Sequence, residues 1–143
     1  MAACLFCKIA RKELGCHLVH EDDLVMAFLD LHPIRPAHTQ IIPRVHADYF
    51  EDLDGPTASR ILEIGQCLAR AMKAVYAVPR VAFLFSGGDI AHAHAHVVPM
   101  HDATDITSRR YILEERVTFH STPRMSSEEL GAVASQFRQM MKP

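Results

Sequence analysis

No apolar run in this chain of 143 residues approaches membrane-spanning length, and no basic segment at its beginning leads into a long apolar core. The expectation is a chain with neither a membrane span nor a secretory leader, at work in the cytoplasm. Surplus positive charge is missing as well. The formal net charge is -2, which leaves no broad basic surface for a long nucleic acid and keeps a small anionic ligand open as a partner. Internal repeats, low-complexity tracts and linkers are absent, so residues 1–143 read as one domain. Apolar content of 49% and charged content of 22% are those of a globular chain with a core of its own. Cysteine is scarce, at four residues. In a reducing compartment Cys4, Cys7, Cys16 and Cys67 are expected as thiols or metal ligands rather than disulfides.

Histidine, by contrast, is plentiful at ten residues. Three of them stand in Ile90-Ala91-His92-Ala93-His94-Ala95-His96-Val97-Val98-Pro99, alternating with small apolar residues. Alternation is the strand period, so the spacing predicts a strand with three imidazoles on one face and Ala91, Ala93, Ala95 and Val97 on the other. Three neighbouring imidazolium charges repel, so some of the row works neutral. A half-buried strand with a histidine face, or an incidental metal-binding run, is the plain alternative. Three residues in register favour chemistry.

Residues 4–14 read as a short amphipathic helix carrying a C-x-x-C pair and ending near Gly15. Such a pair is redox-active, half of a zinc site, or two buried thiols; no second C-x-x-C follows, so histidines must complete any metal site. Strands are predicted over 17–21 and 25–29 around an Asp22-Asp23 turn, then a proline-bearing loop and a third strand over 38–43. His17, His20 and His32 show no matching partner and read as surface or turn residues. Asp54-Gly55-Pro56 opens a long core helix with Ile61, Leu62, Gly65, Leu68, Met72 and Val75 at helical spacing, ending before Pro79, and Cys67 is expected buried on it. A strand over 80–86, a tight turn at Ser86-Gly87-Gly88 and the histidine strand then make an antiparallel hairpin. Residues 104–118 show no period beyond a short element around Tyr111-Ile112-Leu113. The Arg109-Arg110 pair is either a phosphate contact or two solvated loop arginines. Ser126-Ser127-Glu128-Glu129 is a capping box that opens an appended C-terminal helix over about 126–142, striped by Leu130, Val133, Phe137 and Met140.

Read together, these features resemble the histidine triad (HIT) family, whose signature His-φ-His-φ-His-φ-φ is matched at every position by His92-Ala93-His94-Ala95-His96-Val97-Val98. Cys4-Leu5-Phe6-Cys7-Lys8-Ile9 is similar to the N-terminal motif of many bacterial members. Ala27-Phe28-Leu29-Asp30 and Ala37-His38-Thr39-Gln40-Ile41-Ile42-Pro43-Arg44-Val45-His46 are similar to the family's first block. The resemblance implies an α+β fold: an antiparallel sheet of about five strands with one long helix, a short N-terminal helix and a C-terminal helix, paired into a two-fold homodimer through the long helix and a sheet edge. It also implies a nucleotide-binding hydrolase or transferase that cleaves a nucleoside monophosphate from a phosphoramidate, mixed anhydride or dinucleoside polyphosphate through a covalent nucleotidyl-histidine. His94 is then the nucleophile, with one ring nitrogen held as a donor to a backbone carbonyl so that the other presents its lone pair. His96 contacts the phosphoryl or bridging oxygen, His38 supports the phosphate site, and Asp30 accepts from the ribose hydroxyls. Phe28 walls the base pocket or joins the core. Cys4, Cys7, His46 and His92 fall on positions that bind structural zinc in relatives sharing the N-terminal motif, a closed tetrahedral set; no organic cofactor is implied.

The pattern departs between the strands. Family members carry a longer glycine-containing loop and a Gln, where this chain has Ser86-Gly87-Gly88-Asp89. Gly88 replaces the phosphate-contacting amide, Asp89 replaces a hydroxyl donor, and main-chain amides of Gly87 and Gly88 are the expected substitutes. Two further functions compete with the enzyme: a nucleotide-binding regulatory protein with little turnover, and a catalytic metal site built from the histidine row.

Overall fold

The computed structural model describes residues 4–106 and 122–142. Five strands, β1 (Leu18–Glu21), β2 (Val25–Leu29), β3 (Thr39–Pro43), β4 (Arg80–Phe85) and β5 (Ala95–Met100), form one antiparallel sheet in the order β1-β2-β3-β5-β4. Around it stand α1 (Leu5–Ala10), α2 (Gly55–Tyr76) and α3 (Ser127–Met140). This is the α+β architecture expected from the sequence. No described helix is long and apolar enough to cross a membrane.

Period-two alternation sends β2 into two cores. Val25, Ala27 and Leu29 join Ile41, Ala95 and Val97 under Ile61, Ile64, Leu68 and Met72 of α2, whereas Met26 and Phe28 meet Phe6, Ile9 and Ala10 of α1 on the opposite face. Each large apolar side chain buried in this way stabilises the fold by about 1.5–3 kcal/mol. The Asp54 carboxylate accepts from the Thr57 amide at 2.7 Å to open α2, with Pro56 in the first turn, and left-handed Ala77 (φ 52°) closes it. Ser126 and Glu129 form the predicted capping box, and α3 seats Leu130, Ala134 and Phe137 in the main core. Arg138 fastens α3 to the sheet by donating to the Leu18 carbonyl.

Several expectations need correction. The first helix is shorter than 4–14, stopping at Ala10 before Lys12, whose φ of 63° lies outside helical space. Leu62 is 51% exposed, because the core-facing arc of α2 runs through Ile61, Ile64 and Leu68. Gly65 is in the core because the Phe83 ring lies against it; a Cβ there would stand 2.5 Å from Phe83 Cε2. Cys67 is half-buried rather than buried. On α3, Ala134 fills the stripe, Val133 is half-buried, and Met140 is exposed.

The largest difference lies in the histidine row. Only His96 is on β5, because pairing with β4 ends at Phe85 opposite Ala95. Residues 86–94 form a loop in place of the tight turn, and its amides find other partners. Ala93 donates to the Ala47 carbonyl at 2.7 Å and His92 to the Ile90 carbonyl at 2.9 Å. The short element around Tyr111-Ile112-Leu113 and the Arg109-Arg110 pair lie outside the described residues.

Candidate active site

His94 is 7% exposed and sits immediately before β5. Its Nδ1 lies 2.8 Å from the His92 carbonyl oxygen, an acceptor, so Nδ1 carries the proton and Nε2 keeps its lone pair. The carbonyl comes from the residue two positions earlier. The Phe6 ring meets His94 edge-on, centroids 5.2 Å apart, and meets His92 similarly at 5.8 Å, so α1 packs behind both imidazoles.

Beside His94, ring centroids 4.9 Å apart, stands His96. Antiparallel pairing of β3 with β5 sets Gln40 opposite His96 and brings His38, just before β3, to the same place. His38 Nδ1 accepts from the Ile34 amide at 3.2 Å, which leaves its Nε2 as the donor. That donor points at His96 Nδ1, 2.9 Å away. His96 must then carry its proton on Nε2, which donates toward Ser86 Oγ at 3.4 Å. Burial pushes His96 down to about 4, helped by repulsion from His38 and His94 and opposed by Asp30. Burial also lowers His38, with Asp30 again opposing. Both rings are therefore neutral at pH 7.

Asp30 is pinned at the loop that follows β2. Its amide donates to the His38 carbonyl at 2.9 Å, its Oδ1 accepts from the His32 amide at 2.8 Å, and its Oδ2 accepts from Gln40 Nε2 at 2.6 Å. The carboxylate opens on a cavity of about 850 Å³ floored by Phe6, Ile9, Phe28 and Ile90. Phe28 is both wall and core, since it is 5% exposed and meets Phe6 edge-on at 5.7 Å. His17, Cys16 and His32 line the same cleft. Sequence reasoning missed these three because they share no periodic pattern; only adjacency to β1 and to Asp30 hints at them. Asp89 also lines this cleft rather than the smaller cavity of about 230 Å³ beside His94, where Gly87 and Ser86 lie. Gly87 has φ +63°, and exposed Gly88 follows it in the same loop.

Cys4, Cys7, His46 and His92 converge. His46 Nδ1 and His92 Nδ1 are 3.2 Å apart, Cys7 Sγ lies 3.2 and 3.5 Å from them, and Cys4 Sγ is 3.4 Å from His92 Nδ1. These are the edge lengths of a tetrahedron with bonds of about 2.0–2.3 Å, so the four donors fit a zinc ion. The outer nitrogens are committed: His92 Nε2 donates to the Pro43 carbonyl at 3.0 Å and His46 Nε2 to Asp48 Oδ1 at 2.8 Å, the support that metal-binding imidazoles require. The three imidazoles of the row do not share a metal-binding cluster. Among the described residues the clusters are this one and Asp30, His38 and His96, and neither includes His94.

A model of the HIT domain matches residues 11–103. The chain belongs to the HIT family. An uncharacterized HIT-like protein of Borreliella burgdorferi is 35% identical to it, over 69% of this chain and 76% of that protein. The adenosine 5'-monophosphoramidase HNT1 of Saccharomyces cerevisiae is 32% identical, over 71% of this chain and 65% of that one. A Zn-bound histidine triad family protein from Mycobacterium smegmatis shares the fold, with a TM-score of 0.74 at 21% identity over 97% of this chain and 93% of that one. Hydrolases thus stand among the family's members, and a zinc-bound member exists.

Proposed function

We propose that this HIT protein is a nucleotidyl hydrolase or transferase with His94 as nucleophile. The observation that carries the reading is the 2.8 Å bond from His94 Nδ1 to the His92 carbonyl, which leaves Nε2 as a free base beside the neutral His38–His96 pair. The nucleoside of the substrate lies in the large cleft, its ribose diol on Asp30 and its base against Phe28. His94 Nε2 attacks phosphorus in line, the N–P bond forms, and the bond to the leaving group breaks with its electron pair going to that group. His96 Nε2–H, Ser86 Oγ–H and the amides of Gly87 and Gly88 stabilise the phosphoryl oxygens, the last three in place of the missing Gln. Water then attacks the phosphorus, the P–N bond breaks back to His94, and the spare proton leaves to solvent. With another acceptor in place of water the same step is a transfer.

Phosphoramidates, mixed anhydrides and dinucleoside polyphosphates of nucleosides are the candidate substrates, and similarity to a phosphoramidase supports the first. Mass spectrometry after brief acid-free quenching should show a nucleotidyl adduct that disappears in His94→Ala; turnover unaffected by that substitution sinks the reading. A second reading, a nucleotide-binding regulatory protein, is favoured by the glycine and carboxylate at Gly88 and Asp89. Binding of a nucleoside monophosphate without turnover of any substrate class would establish it.

Cys4, Cys7, His46 and His92 would hold zinc as a structural ion, tying α1 and the β3 end to the loop that carries His94. A homodimer through α2 and the β4 edge is supported by the solvent-facing Leu62 and Phe83, 51% and 37% exposed, on neighbouring surfaces.

A further inference from the structure

We propose that the leaving group is received in a small cavity on the far side of His96, that this cavity takes an uncharged, apolar-bodied amine, and that Ile34, Leu84 and Ile106 select it. The inference rests on the reading of His94 as nucleophile. In phosphoryl transfer the bond that breaks lies roughly in line with, and opposite to, the bond that forms, so the leaving group departs away from His94.

Among the cavities formed by the described residues, two adjoin the imidazoles outside the nucleoside cleft. One, about 230 Å³, is lined by His92 and His94 but not by His96. The other, about 260 Å³, is lined by His38, His96, Ile34, Leu84 and Ile106 but not by His94. Ser86 lines both. A phosphorus within reach of both His94 and His96 therefore sits beside Ser86, with the leaving atom on the His96 side and its substituent in the second cavity.

The walls of that cavity state what it accepts. Leu84 is paired directly with His96 across β4 and β5, and Ile34, 37% exposed, presents an apolar side chain from the loop whose amide orients His38. The charges at its rim are already matched. Asp105 lines the cavity, and its side chain is 8% exposed. It receives Arg35 at both oxygens, at 2.8 and 2.9 Å, and Arg35 extends a third bond to Asp102 at 2.7 Å. Among the described residues that line it there is no Lys or Arg, and a polyphosphate would meet the Asp105 carboxylate. At about 260 Å³ the cavity is under a third of the 850 Å³ nucleoside cleft, which suits a smaller substituent. The Arg35–Asp105 pair holds the segment after β5 against the loop between β2 and β3 at the side of this open cavity. In the step itself the phosphoramidate nitrogen, protonated from solvent, leaves as the free amine with the P–N electron pair as the His94 N–P bond forms.

The test uses the full chain with adenosine 5'-phosphoramidate, its N-benzyl and N-(2-carboxyethyl) derivatives, and diadenosine tetraphosphate. Expected is a kcat/KM for the benzyl amide at least roughly 10-fold above those for the carboxyethyl amide and the tetraphosphate. Leu84→Ala and Ile34→Ala should each lower the ratio of benzyl to parent amide by about 5- to 10-fold. The ratio cancels any loss of folded protein, and Ile34 lies on an exposed loop. Turnover of the parent amide without a preference for benzyl, or ratios unchanged in both variants, overturns the cavity assignment alone. Failure to turn over any of the four probes overturns the nucleotidyl-transfer reading together with it.

Discussion

His38 Nε2 stands 2.9 Å from His96 Nδ1, and because the Ile34 amide occupies the other nitrogen of His38, the shared proton belongs to His38. One backbone amide thus sets the tautomers of two imidazoles in series. Replacing His38 with Ala leaves His96 free to carry its proton on either nitrogen. The expected result is a fall in kcat of about 10- to 100-fold, smaller than the loss from a wrong tautomer on a nucleophile's own base, with nucleoside monophosphate affinity changed only a few-fold. Steady-state kinetics beside calorimetric binding checks both halves.

Acid should destabilise the protein through the same pair. In the unfolded chain His96 takes a proton near its ordinary 6.5, but in the folded protein only near about 4. Between those values the unfolded state binds more protons, so stability falls as pH drops through that window and is level in this respect above it. Unfolding free energies from urea titrations at pH 7.5 and pH 5 should differ by about 1–2 kcal/mol from His96, and the drop should be shallower in His96→Asn. An identical pH dependence in that variant would contradict the assignment.

Removing one thiolate should empty the metal set. Cys7→Ser is expected to lower zinc from about one ion per chain to a small fraction, since three mismatched donors hold it poorly. Without the ion, α1 keeps only Phe6, Ile9 and Ala10 as anchors. Amide exchange in residues 5–10 should then quicken while α2 stays protected. Elemental analysis and hydrogen exchange are the measurements.

Leu62→Glu should produce monomers in sedimentation velocity, with little change in thermal stability, because the side chain is 51% exposed on α2. Gly65→Ala attacks the same face from beneath. An added Cβ would stand 2.5 Å from Phe83 Cε2 and push the ring aside, so weaker self-association is expected there as well. A chain already monomeric at micromolar concentration rules out the dimer.

The fold was largely legible in the sequence, because its devices are local: Asp54 before Pro56, Ser126 with Glu129, and a run of β-branched residues at Ile41 and Ile42 all act within a few positions. The histidine row was read correctly for residue type and wrongly for backbone. Alternation indicates which side chains share a face, yet the strand begins only where β4 offers partners, and that boundary depends on residues 80–85. Arg35, Asp102 and Asp105 left no sequence signal, since a contact across 70 positions follows from β3 lying beside β5. His17 and Cys16 share no periodic pattern, and only their place just before β1 puts them in the cleft.

His92 gives its Nδ1 to the cysteine cluster, its Nε2 to the Pro43 carbonyl and its own carbonyl to His94. A single residue thereby links the cysteine–histidine cluster to His94. A substitution there strips the imidazole from the cysteine cluster but keeps the carbonyl to which His94 donates, so it reaches His94 only by shifting the loop that carries that carbonyl.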